Sequence, residues 1–239
     1  MTSREEMLDR VRKAVGRTMA GGPAPVPPAL DLTGVMPSVA AGDLLAKFET
    51  EWEKVGGVAH RATNLEELDQ ILQKILDLAG THSAVLTCNP LLAELRIADR
   101  LTKLNNLVTG WTTGAEASDA LPAFNRASFA AGVGISGADF VLAESGTLVL
   151  SSLTEGAQVA SLAPPVHVTL YRRNQLVGLL DEVLAQLPIS NPPEGASPGR
   201  SVVFITGTSR TADIEQILIR GVHGPRAAHA ILVDFDDCH

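Results

Sequence analysis

From Gly42 onwards the sequence alternates between two periodicities, and that alternation restricts the chain to few architectures. Asp43 to Val55 has helical spacing, with Leu44, Leu45, Phe48 and Trp52 on one face. Gly57 to Arg61 is a short strand. Asn64 then caps a helix with Glu66 and Glu67 in its first turn and Leu68, Ile71, Leu72, Ile75 and Leu76 as its apolar stripe. Ser83 to Thr87 is a buried strand, Pro90 opens a helix over Leu91 to Leu101, and Asn106 to Thr109 is the next strand. Strands alternating with helices at this spacing predict a parallel sheet with helices on both faces. The chain has only six Phe, two Trp and one Tyr, so Leu, Val, Ile and Ala must fill the core, as they do where helices pack on parallel strands.

The middle of the chain reads differently. Ala138 to Ala143 and Thr147 to Ser151 are two strands joined by Glu144-Ser145-Gly146, with Gly146 suited to the left-handed position of a hairpin. Val166 to Tyr171 is a strand, Val177 to Leu187 a helix ended by Pro188, and Ile189 to Gly199 a Pro-rich surface loop. Ser201 to Thr206 is a strand, Thr211 to Gly221 a helix and Ala228 to Val233 a last strand. The sheet is therefore expected to be mixed and mostly parallel, with an antiparallel insertion. Ahead of this domain, residues 1–41 form an arm. Ser3 to Gly16 is an amphipathic helix with Met7, Leu8, Val11 and Val15 on one face, and four prolines between Pro23 and Pro28 make an extended linker. Such an arm either folds back on its own domain or docks on another chain, including a second copy.

Charge and composition exclude several roles. The net charge of −8 repels phosphate backbones, and with few aromatics for base stacking nucleic acid is not the expected partner. The two cysteines, Cys88 and Cys238, cannot by themselves hold an iron–sulfur cluster or a Cys-rich zinc site. No apolar run is long enough to span a membrane, and the N-terminus lacks the apolar core of a signal peptide, so a cytoplasmic protein is expected.

Four segments carry candidate chemistry. Gly132 to Ala138 spells G-x-G-x-x-G-A, but a helix precedes it and a strand follows, the reverse of the dinucleotide fingerprint; it reads as a tight helix-to-strand turn. Glu144, in Ala143-Glu144-Ser145-Gly146-Thr147, is a candidate nucleophile or base if a dry pocket raises its pKa. Otherwise it is a solvated turn residue. Thr206-Gly207-Thr208-Ser209-Arg210-Thr211-Ala212-Asp213 runs from a strand end into a helix start with Thr211 as N-cap. Free backbone N–H groups there, the Thr and Ser hydroxyls and the Arg210 fork would hold a carboxylate or phosphate, with Asp213 as the alternative partner of Arg210. Glu144, Thr147, His223 and Gly224 would line the opposite wall. His167 and His229 read as packed or hydrogen-bonded histidines, and Cys88 as a buried thiol. No metal ligand set is evident.

Gly134-Ile-Ser-Gly-Ala-Asp-Phe-Val-Leu-Ala-Glu-Ser-Gly-Thr-Leu-Val-Leu, Val166-His-Val-Thr-Leu, Thr206-Gly-Thr-Ser-Arg-Thr-Ala-Asp-Ile-Glu and Gly221-Val-His-Gly-Pro together resemble the LUD domain of the lactate utilization protein C (LutC/YkgG) family, over about residues 42 to 234. The resemblance implies a three-layer αβα fold of the NagB/RpiA/CoA-transferase type, an α/β domain from residue 42 to 239. It also implies a part in oxidising L-lactate to pyruvate within a three-component system whose partner subunits carry the iron–sulfur clusters. A component without a redox centre binds a small carboxylate, assembles the complex or regulates it. The fold analogy puts Glu144 near where CoA-transferases keep a glutamate. Two further readings stay open: a stand-alone enzyme of the CoA-transferase, sugar-phosphate isomerase or folate cyclo-ligase kind, and a purely structural subunit that makes its contact through the arm.

Overall fold

A computed structural model of the chain describes residues 4–19, 41–111, 117–187, 201–212, 218–221 and 223–235. The chain divides into two units, Met1–Pro37 and Ser38–His239. The first contains α1 (Arg4–Met19), which continues through Gly16 instead of stopping there, and whose Met7, Leu8 and Val11 are exposed. The Pro-rich linker lies outside the described residues.

The second unit begins with α2 (Leu44–Lys54), β1 (Val58–Ala62) and α3 (Leu65–Ala79). Asn64 caps α3 by accepting from the N–H of Glu67, and Gly80 ends it in the left-handed conformation. β2 (Ser83–Leu86) follows, then not one helix but two, α4 (Pro90–Glu94) and α5 (Ile97–Lys103). The break falls at Arg96, whose φ is +52°. It has a packing reason: Leu95 and Ile97 are both fully buried, and two positions apart on a continuous helix they would face opposite ways. β3 (Leu107–Gly110), α6 (Ala117–Ala130) and β4 (Val133–Ser136) complete this half.

β5 (Phe140–Leu142) and β6 (Thr147–Ser151) form the expected antiparallel hairpin, with Gly146 at φ +61°. The short α7 (Ser152–Glu155) and a 3-10 turn at Gln158–Ser161 lead to β7 (Val166–Tyr171). Val177, expected to start a helix, instead belongs to β8 (Leu176–Val177), which pairs with β5; α8 (Leu180–Gln186) starts three residues later. β9 (Val202–Ile205) pairs antiparallel with β6. The helix expected from Thr211 is a hairpin, β10 (Arg210–Ala212) against β11 (Leu218–Arg220), and β12 (Ala227–Val233) is the final strand described.

Six strands in the order β1-β12-β7-β4-β2-β3 make the central sheet, every pair parallel. The antiparallel strands are not inserted in it. They form a second sheet, β8-β5-β6-β9. Leu72, Ile75, Leu95, Ile97 and Leu101 of α3–α5 pack on one face of the central sheet against Val133, Ile135, Val168 and Ile231. The other face carries α2 and the small sheet at one end and α6 at the other. The domain is thus a three-layer α/β fold, with α8 covering the outer side of the small sheet.

The glycine-rich string from Gly132 is explained by this packing. Its centre is β4, buried throughout, and the next element is a strand, so no helix start faces it. A Cβ at Gly134 would overlap the carbonyl oxygen of Ala160, which the 3-10 turn lays directly on the sheet. Gly134→Ala should therefore destabilise the domain by about 3 kcal/mol or more, since backbone and not a flexible side chain opposes the methyl. Gly110→Ala, with nothing within 4 Å of the added atom, should change stability by less than about 0.5 kcal/mol. Urea denaturation of the two variants checks both.

Candidate functional site

In open parallel sheets ligands sit beyond the carboxyl ends of the strands, where the connections of neighbouring strands leave to opposite faces. Here that point lies between β2 and β4. β2 continues into α4 and α5 on one face, whereas β4 continues into the hairpin on the other. The residues that leave these strand ends are Thr87, Cys88 and Asn89 after β2, Gly137 and Asp139 after β4, Trp111 after β3 and Arg172 after β7. All of these but Gly137 border one or both of two cavities that share Asn89. One, of about 400 Å³, is lined by Thr87, Cys88, Asn89, Arg96 and Trp111. The other, of about 290 Å³, is lined by Asn89, Glu94, Asp139, Thr154, Arg172 and Gln175.

Glu155 lines neither cavity but lies directly behind Thr87 and Asn89, which do. Its carboxylate accepts from the hydroxyl of Thr87 at 2.5 Å, from the Asn89 side-chain amide and from the N–H of Gly137 at 3.1 Å. Its backbone carbonyl accepts from the N–H of Cys88 at 3.3 Å. One side chain therefore fastens both strand ends. Glu155 has no exposed surface, and burial outweighs its three donors, pushing its pKa up to about 6, with the nearby Asp139 charge adding to the rise. Asp139 is itself raised by burial although it accepts from the Ser151 N–H at 2.6 Å and from the Thr154 hydroxyl. The Cys88 thiol, half-buried rather than fully buried, donates to the Thr154 carbonyl at 3.4 Å and is held above its usual range by burial and by Glu155. It is a poor nucleophile in that state. Arg172 bounds the second cavity and donates to the Phe235 carbonyl at 2.6 Å and to Glu94.

The residues singled out in the sequence lie elsewhere. Thr147 and Thr206 meet, hydroxyl to hydroxyl, at 2.8 Å, and Ser145 joins Thr147 at 2.8 Å. Gly207 packs on Val55. The Ser209 N–H donates to the Pro225 carbonyl at 2.9 Å, and Arg226 just beyond donates to Pro165. Pro165 and Arg226 precede β7 and β12, so this segment borders the amino ends of the central strands, opposite the crevice. The error has a clear origin: β9 belongs to the small sheet, so the rule for carboxyl ends of parallel strands does not apply to it. Thr211 lies in β10 and heads no helix, so the expected cradle of helix-start N–H groups is absent there. The side chains of Arg210 and Thr211, and all of Asp213, lie outside the described residues. Thr208 is buried, His223 is exposed, and Gly224 lies beside Ser209. The Glu144 carboxylate accepts from the N–H of Leu180 at 2.9 Å. His167, buried and pushed down to about 3, meets the Ser136 hydroxyl at 2.8 Å, and His229 meets His60 at 3.0 Å. Among the described residues no group of three or more His, Cys, Asp or Glu is placed to hold a metal ion, and no helix is long and apolar enough to cross a membrane.

Comparison with known proteins agrees with the fold. The LUD domain family profile matches residues 45–233. Lactate utilization protein C of Shouchella clausii is 30% identical over 70% of this chain and 69% of its own. The protein of that name from an Exiguobacterium species is 29% identical over 98% of this chain and 96% of its own. The crystal structure of a DUF162 family protein from Deinococcus radiodurans superposes with a TM-score of 0.55, covering 82% of this chain and 99% of that one at 20% identity.

The raised Glu155 carboxyl gives folding a pH dependence with a defined sign. A carboxyl whose pKa rises on folding favours the folded state most below its unfolded value, and that contribution fades as pH climbs through its folded value. The rise from 4.5 to about 6 amounts to about 2 kcal/mol. Urea denaturation between pH 4 and pH 8 should show wild type losing about 2 kcal/mol more than Glu155→Gln, whichever of the two is the more stable at the outset.

Proposed function

The chain belongs to the LUD domain family, and on that premise we propose that it serves lactate utilisation as a component that binds a small organic acid in the crevice at the carboxyl ends of β2, β4 and β7. The observation that carries this reading is the convergence there of one guanidinium, Arg172, with the side chains of Asn89, Asp139 and Thr154. A guanidinium recognises a carboxylate through two parallel N–H bonds. Arg172 already pairs with the carboxylate of half-exposed Glu94, which yields to the carboxylate of a ligand. Asp139 and Thr154 supply an acceptor and a hydroxyl for the α-oxygen of a hydroxy or keto acid.

Electron transfer in this reading belongs to partner subunits that carry iron–sulfur clusters. A cluster takes four thiolates, and this sequence contains two cysteines. The exposed Met7, Leu8 and Val11 of α1 are the surface offered to such a partner. The alternative of covalent catalysis through Glu144 draws no support from its position, because that carboxylate is engaged by a backbone N–H at the start of α8.

Calorimetric titration with lactate and pyruvate tests the reading. Arg172→Ala should weaken binding about 10- to 100-fold, the loss of a charge-assisted pair worth about 1.5–3 kcal/mol, while Arg210→Ala leaves it unchanged. The reverse pattern would move the site to the opposite edge of the sheet. No heat of binding with wild type would overturn the reading itself.

A further inference from the structure

We propose that Glu155 couples acid binding in this crevice to the uptake of one proton, so that the protein binds an organic anion together with H⁺; this rests on the binding reading above. The geometry supplies the coupling. Glu155 has no exposed surface, and each of its three hydrogen bonds comes from a neutral donor: Thr87, Asn89 and Gly137. The titratable groups that act on it are the Cys88 thiol on the β2 side and the Asp139 carboxyl on the β4 side, and neither is a cation. The other charged groups of the two cavities meet in pairs at the rim, Arg172 with Glu94 and Arg96 with Asp99. Asn89 and Thr87, which donate to Glu155, are the side chains that separate it from the cavities: Asn89 borders both and Thr87 the first, so an anion in either one stands a single side chain away from this carboxyl.

A second negative charge beside a buried carboxylate disfavours the ionised form of that carboxylate. Burial already pushes the Glu155 pKa up to about 6 before any ligand arrives, and an added anion moves it further towards protonation. The hydrogen bonds permit this. A protonated Glu155 becomes a donor to the Thr87 oxygen, and the Thr87 hydroxyl is then released to donate to the anion in the cavity that Thr87 lines. The proton balance is simple: one H⁺ is taken from solvent as the anion binds, and it is returned when the anion leaves.

Titration of wild type with lactate at pH 7, repeated in buffers of different ionisation enthalpy, reads the proton count directly. The expected result is uptake of at least about half a proton, with affinity weakening several-fold from pH 6 to pH 8. Glu155→Gln should bind lactate with no uptake and no pH dependence over that range. Wild-type binding with no uptake, or uptake that persists in Glu155→Gln, would overturn the inference and leave the binding site standing. Failure of wild type to bind lactate or pyruvate at all would instead sink the reading beneath it. Should Glu155→Gln fail to fold, difference infrared spectra of wild type on lactate addition decide the matter. A new protonated-carboxyl stretch supports the coupling, and its absence overturns it.

Discussion

The Glu155 carboxyl, closed off from solvent, joins the strand ends on which the crevice is built. Parallel strands hydrogen-bond along their lengths, but beyond their last paired residues their backbones diverge and need other partners. In this chain one carboxylate meets Thr87 and Asn89 on one side and Gly137 on the other. Removing it would leave three buried donors unsatisfied, and each such group costs about 1–3 kcal/mol. Asn89 shows how far the tie extends: its side-chain oxygen caps the N–H of Leu91 and so sets the start of α4. The position of α4, the opening of both cavities and the height of Asn89 above the sheet all follow from a side chain that sits on α7.

A different interaction seats the small sheet on the large one. Three of the nine aromatic residues of the chain are gathered there. Phe48 and Trp52 of α2 stack with centroids 5.9 Å apart, and Tyr171 meets Phe48 edge-on at 5.6 Å. All three are fully buried, with Val141, Leu148 and Leu150 of the hairpin around them. Aromatic rings bury the largest area per residue, so a chain with few of them gains most by placing them where two sheets and a helix meet.

Much of this was legible in the residues, and the failures have a common cause. The Asn64 cap, the stripe from Leu68 to Leu76 and the left-handed Gly146 turn are encoded within a few residues, and they stand where the local pattern puts them. Thr211 to Gly221 also carries a helical pattern, yet Ser209 and Gly221 close a hairpin across it through the N–H of Gly221 and the Ser209 carbonyl. Gly134 looked like part of a turn because the carbonyl that demands its missing side chain, Ala160, lies 26 residues on. Glu155 was invisible for the same reason. In Ser152-Leu153-Thr154-Glu155-Gly156 it reads as one more polar loop residue, and its partners are 66 and 68 residues earlier in the chain. No local signal announces a buried charge whose donors come from distant strand ends.

The place of β12 in the central sheet sets the order in which the domain is made. Its seven residues lie between β1 and β7, so β1, the first strand among the described residues, has no described neighbour in the sheet until residues 227–233 exist. While the chain emerges from the ribosome, β1 and the inner edge of β7 remain open, and both are exposed to pairing with other nascent chains. Closure of the sheet is governed by the entropy of bringing together segments some 170 residues apart in sequence. The strand order thus delays completion of the sheet until segments from both ends of it are present.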